Sequence, residues 1–159
     1  MSHFFPTTEY AEDQTLSRTI LTTHVLSRGF ELGSAIGLLS RGTRSLIKRQ
    51  SPTAASLLRA ASTGGIIGTC CVGVGLVGRM WGREEIEWKD RSWRLRNNQG
   101  QLAIDNWSEP AAALGAVAGA SGYFSGPTGW RGVVGGAGVG SLVGVIGCMC
   151  ASRIFPSRD

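Results

Sequence analysis

The sequence has few of the residues that catalytic sites need. It contains only two histidines, His3 and His24, and no Ser-His-Asp or Cys-His set can be assembled around them. It also lacks a phosphate-binding signature, because the GxGxG-like string that begins at Gly136 sits inside an apolar run rather than between a strand and a helix. We therefore expect no enzyme activity, no cofactor and no small-molecule substrate.

Cysteine is present only in or beside apolar runs, which does not suit a metal site. Metal-binding cysteines are typically spaced as CxxC pairs in polar loops. Adjacent cysteines on a helix point about 100° apart, and no histidine lies near any of them. Two interpretations stay open, small apolar packing residues or a disulfide. The four cysteines are Cys70, Cys71, Cys148 and Cys150.

Charge is absent from residues 132–151, and glycine recurs there at every fourth position. On a helix this spacing forms one stripe of hydrogen-only side chains, against which a second backbone packs closely. A soluble helix loses about 1 kcal/mol for each interior glycine, whereas a helix in lipid has no water to replace its backbone hydrogen bonds. Small residues four apart recur in three other apolar segments. The predicted helix-packing glycines are Gly29, Gly33, Gly37, Gly64, Gly68, Gly115, Gly119, Gly132, Gly136, Gly140 and Gly144.

These patterns predict an all-α membrane protein with about four short, glycine-rich transmembrane helices, and two or three spans are also compatible with them. A span needs roughly 20 apolar residues. A soluble amphipathic bundle is disfavoured, because the second and fourth segments have no polar face. We expect a single membrane domain over 18–151, with spans at about 18–40, 60–80, 109–125 and 132–151, an acidic tail at 1–17, a soluble connector at 81–108 and a C-terminal tail at 152–159.

The connector 81–108 has a strand-like pattern. Apolar residues alternate with others at 93–95 and 102–104, and 97–100 (Asn-Asn-Gln-Gly) has good turn chemistry. The pattern predicts a small β-hairpin, or an extended segment laid on a partner.

The net charge of +5 is interpreted as membrane topology rather than nucleic-acid binding. The stretch 41–59 has only basic charges, whereas 79–109 mixes both signs, and a nucleic-acid surface is dominated by one sign. The positive-inside rule places 41–59 on the side of synthesis. In a mitochondrial inner membrane that side is the matrix, and both termini then face the intermembrane space.

One set of ionisable residues lies inside the first segment. His24, Arg28 and Glu31 follow spacings of four and three, so they share one helix face. Ionisable groups at membrane depth are costly and often functional. A structural ion pair with a partner subunit, a proton relay and a wetted position at the interface all remain open for them.

The layout resembles the Tim channel family of the mitochondrial inner membrane. That family has four short glycine-rich spans, and it includes translocase subunits and a complex I accessory subunit. Its translocase signature joins an arginine, an acidic residue four later and a glycine-rich helix start. Arg83 and Glu87 match the first two parts, but Trp93 and Arg94 stand where the glycine block is expected.

The chain is also similar in style to fungal accessory subunits of mitochondrial complex I (NADH:ubiquinone oxidoreductase). The resemblance implies a non-catalytic, multi-pass subunit of the respiratory chain that stabilises the membrane arm, without cofactors of its own. Its partners are then membrane lipids and the other subunits of a large inner-membrane complex. The alternative that it implies is a component of a protein translocase or a small-solute channel.

Overall fold

The computed structural model describes residues 5–122 and 129–154, and within these ranges every regular element is helical. The all-α prediction is therefore confirmed. A single 3-10 turn precedes five α-helices. The turn is Ala11–Asp13, and the helices are α1 (Ser17–Ile47), α2 (Ala54–Met80), α3 (Glu85–Arg96), α4 (Gln99–Ala120) and α5 (Trp130–Ile154).

The hairpin predicted in the connector 81–108 is wrong, because α3 and the start of α4 occupy it. Acidic Glu85 in the first turn of α3 and basic Arg96 in its last turn complement the helix dipole. The Asn98 side chain then caps α4 by accepting a hydrogen bond from the backbone N–H of Gln101. Alternation over three residues is too short to separate a strand from a helix.

The helices also extend beyond the predicted spans. The first helix continues to Ile47, past the predicted limit at 40. The helix α4 begins at Gln99, well before residue 109. The last three residues of the predicted span 109–125 lie outside the described residues, as do the ends of the two predicted tails, 1–4 and 155–159.

The four long helices form two antiparallel hairpins, α1–α2 and α4–α5. The hairpins meet through α2 and α5, which run parallel, since Leu58 lies against Gly135 and Ala61 lies near Gly138. The helix α3 packs on the end of the bundle where α1 and α4 begin, and we name this the capped end. The opposite end, where α2 and α5 begin, is named the basic end.

The two ends differ in charge. The capped end mixes acidic and basic side chains, whereas no acidic residue lies at the basic end within the described part of the chain. This asymmetry extends the one predicted for the first connector, because α5 adds an arginine of its own. The basic residues at that end are Arg41, Arg44, Lys48, Arg49, Arg59 and Arg131.

The interior of the bundle is made of small and polar side chains, and large apolar side chains lie outside. Among the described residues, five apolar side chains are buried, and the large ones among them are Ile20, Leu58 and Met80. Seven serines are buried at the same time. Exposed instead are residues such as Leu39, Val74 and Ile146. This distribution is the reverse of that in a soluble domain, whose core collects Leu, Ile, Val and Phe.

Within the described residues, two helices, α2 and α5, are long and apolar enough to cross a membrane by length and composition. Only 17% of the most apolar window of α2 and 33% of that of α5 is buried inside the chain. At about 1.5 Å per residue, both exceed the roughly 30 Å of a hydrocarbon core. Neither helix is therefore the enclosed core helix of a soluble fold.

Candidate functional site

The first hairpin is held by a contact between backbones, which we name the first seam. Gly33 on α1 lies against the carbonyl of Gly64 on α2, and Gly29 lies against that of Gly68. Gly37 meets the carbonyl of Ala60 in the same way. A Cβ at any of these three glycines would come closer than 3.0 Å to backbone atoms of the other helix. The glycines therefore set the distance between α1 and α2.

The second hairpin repeats this arrangement, and we name its contact the second seam. Gly115 on α4 faces the carbonyl of Gly136 on α5, and Gly119 faces that of Gly132. The seam continues on α5 through Gly140, which lies against Ala111, and through Gly144, which lies against Trp107 and Ser108. With the first seam, the structure places all eleven glycines singled out from the sequence at contacts between helices.

Three further glycines form contacts that were not predicted. Gly135 meets the backbone of Leu58, and Gly138 meets Ser34, which joins α5 to the first hairpin. Gly65 lies under the ring of Phe30. All three sit outside the every-fourth-residue stripes, and the sequence has no periodic signal for a helix that contacts two neighbours on different faces.

The polar set of α1 binds a partner that comes from the same chain. Arg28 donates hydrogen bonds to the carboxylates of Glu31 on α1 and Asp105 on α4. The Nδ1 atom of His24 lies 3.4 Å from the Asp105 carboxylate and makes no hydrogen bond. The side chains of Asp105 and Glu31 are 7% and 12% exposed. We name His24, Arg28, Glu31 and Asp105 the charge cluster.

The charge cluster lies within the length of the bundle rather than at its end. Gly29, next to Arg28, packs against Val72 of α2. Val72 precedes the last residue of α2, Met80, by two helical turns, or about 12 Å. Two carboxylates, those of Glu31 and Asp105, share the guanidinium of Arg28 there. The chemistry of the cluster suits an electrostatic link between the two hairpins, because α1 contributes three members and α4 the fourth.

The sequence analysis did not include Asp105 in the polar set, because Asp105 lies in the stretch 81–108, which has the composition of a soluble connector. A signal was nevertheless present. Across 99–120 the only charged residues are Asp105 and Glu109, so a helix extended upstream of residue 109 brings a carboxylate into an apolar environment. An ion pair with a partner subunit was one of three interpretations left open for His24, Arg28 and Glu31, and in this structure the partner of Arg28 on another helix is Asp105 of the same chain.

The capped end is a network of polar contacts between α3 and the N-terminal segment. Arg96 donates to the carbonyl of Phe5 and to the Thr7 hydroxyl, and the Trp93 indole donates to the carbonyl of Thr8. Lys89 donates to the carbonyl of Glu12. These contacts hold the N-terminal segment against α3 through hydrogen bonds to its backbone.

Glu85 links this cap to the first helix. It accepts a hydrogen bond from the Ser17 hydroxyl at 3.0 Å and pairs with Arg18 at 2.8 Å. The Ser17 hydrogen bond, followed by that from Arg18, holds the pKa of Glu85 below its ordinary value of 4.5. Arg18 also lies over the ring of Trp88, so this face combines ionic and cation–π contacts.

The described ranges contain four cysteines, and their surroundings can be compared with what a metal site or a disulfide requires. No group of three or more His, Cys, Asp or Glu side chains is placed to hold a metal ion in 5–122 or 129–154. All four cysteines are free, and only Cys148 is buried. The predicted alternative of a disulfide is therefore not formed in this structure.

Comparison with known proteins gives a family but no activity. No curated protein matches the chain. The model of one family, described as a protein of unknown function (DUF1757), matches residues 14–147. This stretch covers both seams and the charge cluster, and it ends inside α5. The chain therefore belongs to the DUF1757 family.

Proposed function

We propose that this protein is a non-catalytic accessory subunit of a membrane complex, and that it acts by helix packing. The observation that carries the proposal is the reversed distribution of side chains, with glycine, serine and charge inside and large apolar residues outside. Such a surface is unfavourable in water but natural against lipid tails and apolar helices of other subunits. The four long helices are immersed in the bilayer, with α2 and α5 as the most apolar spans.

The charge asymmetry supports one orientation. A basic end without acidic residues among the described positions belongs on the electrically negative side of the membrane. For a mitochondrial inner membrane, this end faces the matrix, and the capped end with the N-terminal segment faces the intermembrane space. The resemblance to fungal accessory subunits makes complex I the first assembly to test.

Two measurements on the native protein test this proposal. Carbonate washing of membranes is expected to leave the chain in the membrane fraction, and mild-detergent native electrophoresis is expected to show it migrating with complex I subunits. Release into the aqueous fraction as a monomer would overturn membrane immersion. Retention in the membrane with migration as a lone small protein would instead overturn the role as a subunit.

The alternative is a component of a translocase or small-solute channel, and the charge cluster favours it. Polar groups from two different helices, α1 and α4, meet inside the bundle, and Arg28 keeps 26% of its side chain exposed. Conductance or solute flux across vesicles that contain the purified chain would support the alternative. Vesicles as tight as protein-free ones would exclude it for the isolated chain.

A further inference from the structure

A long groove runs along the outer side of the first seam. Its floor is formed by the seam glycines, and its walls carry Leu32 and Ile36 from α1 and Ile67 from α2. Its volume is about 680 Å³, within the roughly 300–1,000 Å³ typical of ligand sites. Because the glycines have no side chains, the space between the walls stays empty.

The groove ends between two arginines. Arg41 and Arg44 line it at the basic end, where no described acidic residue is available to pair with them. Neither arginine forms an ion pair within the described residues. The groove therefore joins an apolar channel to two uncompensated positive charges, which is the complement of an acyl chain attached to an anionic headgroup.

We propose that this groove binds an anionic phospholipid, with one acyl chain along the first seam and its phosphate between Arg41 and Arg44. The inference rests on the membrane immersion proposed above. From Gly29 to Arg44 the helix rises roughly 22 Å, which accommodates the roughly 15 Å of one hydrocarbon leaflet and part of the headgroup layer.

An apolar helix of another subunit fits this site less well than a lipid. Such a helix would cover the walls of the groove but would leave both arginines without counter-charges at the headgroup level. Basic pockets between transmembrane helices are recognised sites for phosphate headgroups. A helix seated in the groove is accordingly an outcome that the test separates from lipid.

The test compares lipids that differ only in headgroup. The full-length chain, purified in detergent, is titrated with dioleoyl phosphatidylglycerol or dioleoyl phosphatidylcholine, and bound lipid is counted by native mass spectrometry. We expect roughly tenfold or greater preference for phosphatidylglycerol. The variant R41Q/R44Q is expected to lose this preference, and Thr63→Phe, which fills the groove, is expected to lower retention of both lipids.

The control is the variant R49Q/R59Q, which removes the same charge from the basic end outside the groove. It is expected to keep the preference. If both double variants lose the headgroup preference equally, the site is overturned in favour of general surface charge. The site is also overturned if R41Q/R44Q keeps the preference and melts at the wild-type temperature. A protein segment found cross-linked to Ile67 and excluding lipid would overturn it in favour of a helix.

The failure of this inference is distinguishable from failure of the proposed function. A chain that resists carbonate washing but shows no headgroup preference would remain a membrane subunit without this lipid site. A chain released by carbonate would remove the basis of both.

Discussion

The two hairpins of this bundle use the same backbone contact but differ at its edges. In both, glycines at every fourth residue bring antiparallel helices together until carbonyls of one lie against Cα atoms of the other. In the second hairpin, the backbone carbonyl of Trp107 lies against Gly144 and its ring lies over Gly147, so Trp107 covers the seam at the capped end. In the first, Arg41 and Arg44 flank an open groove. Glycine spacing thus determines how close two helices come, and the flanking side chains determine what else fits between them.

The largest loss of stability is expected for a substitution in the charge cluster, which links the two hairpins. Arg28→Gln leaves the carboxylates of Glu31 and Asp105 buried without a counter-charge, which is expected to lower stability by about 3–5 kcal/mol. Asp105→Asn is expected to lower stability by less, because Arg28 still pairs with the Glu31 carboxylate. The measurement is the melting temperature in detergent.

The matched control for this prediction is Arg94→Gln. Arg94 pairs with Asp90, but its side chain is 74% exposed, so the loss is expected to stay below about 1 kcal/mol. If Arg28→Gln melts at the same temperature as Arg94→Gln, the charge cluster does not hold the hairpins together.

An intermediate effect is expected at the seams. Gly33→Ala in the first seam and Gly115→Ala in the second each place a methyl group against a backbone carbonyl. Both are expected to destabilise the protein by about 1–3 kcal/mol, because neither backbone can move aside as a side chain would. Thermal unfolding of the two variants side by side measures whether the seams are equivalent.

Gly75→Ala provides the control on the first hairpin. An added Cβ at Gly75 meets nothing within 4 Å, and alanine is the better helix former, so stability is expected to be unchanged or slightly higher. Equal melting temperatures for Gly33→Ala and Gly75→Ala would mean that the close approach of α1 and α2 contributes nothing.

The smallest effect on stability is expected where Glu85 of α3 contacts the start of α1. The depressed pKa of Glu85 means that its ionised form stabilises the fold above pH 4.5, and that this contribution is lost as the pH falls through the lower, folded-state value. Ser17→Ala removes the main cause and is expected to raise the pKa of Glu85 toward 4.5. An NMR titration of the Glu85 carboxyl carbon measures this shift. Ser27→Ala, whose hydroxyl donates only within α1, is expected to leave the titration unchanged.

Helix content and the positions of the seam glycines were accessible from the sequence because both depend on local spacing. The wrong prediction of a β-hairpin in the connector 81–108 also came from local spacing. The short alternation at 93–95 fits a strand and a helix equally well, and the deciding features were the dipole complement of α3 and the Asn98 cap. The sequence marks Asp105 as one of only two charged residues in 99–120. Nothing in its neighbourhood, however, indicates that an arginine 77 positions earlier lies beside it.

The sequence by itself determined the helical character, the four stripes of glycine and the separation of basic from mixed charge, because each of these follows from residue spacing along the chain. Only the tertiary structure decided which stripes face each other, that Asp105 completes the charge cluster, and that a groove is open along the first seam while Trp107 covers the capped end of the second. The physical reason is that glycine allows a close approach without specifying the partner. The partner is chosen by side chains far apart in the chain, which meet only once the helices have packed.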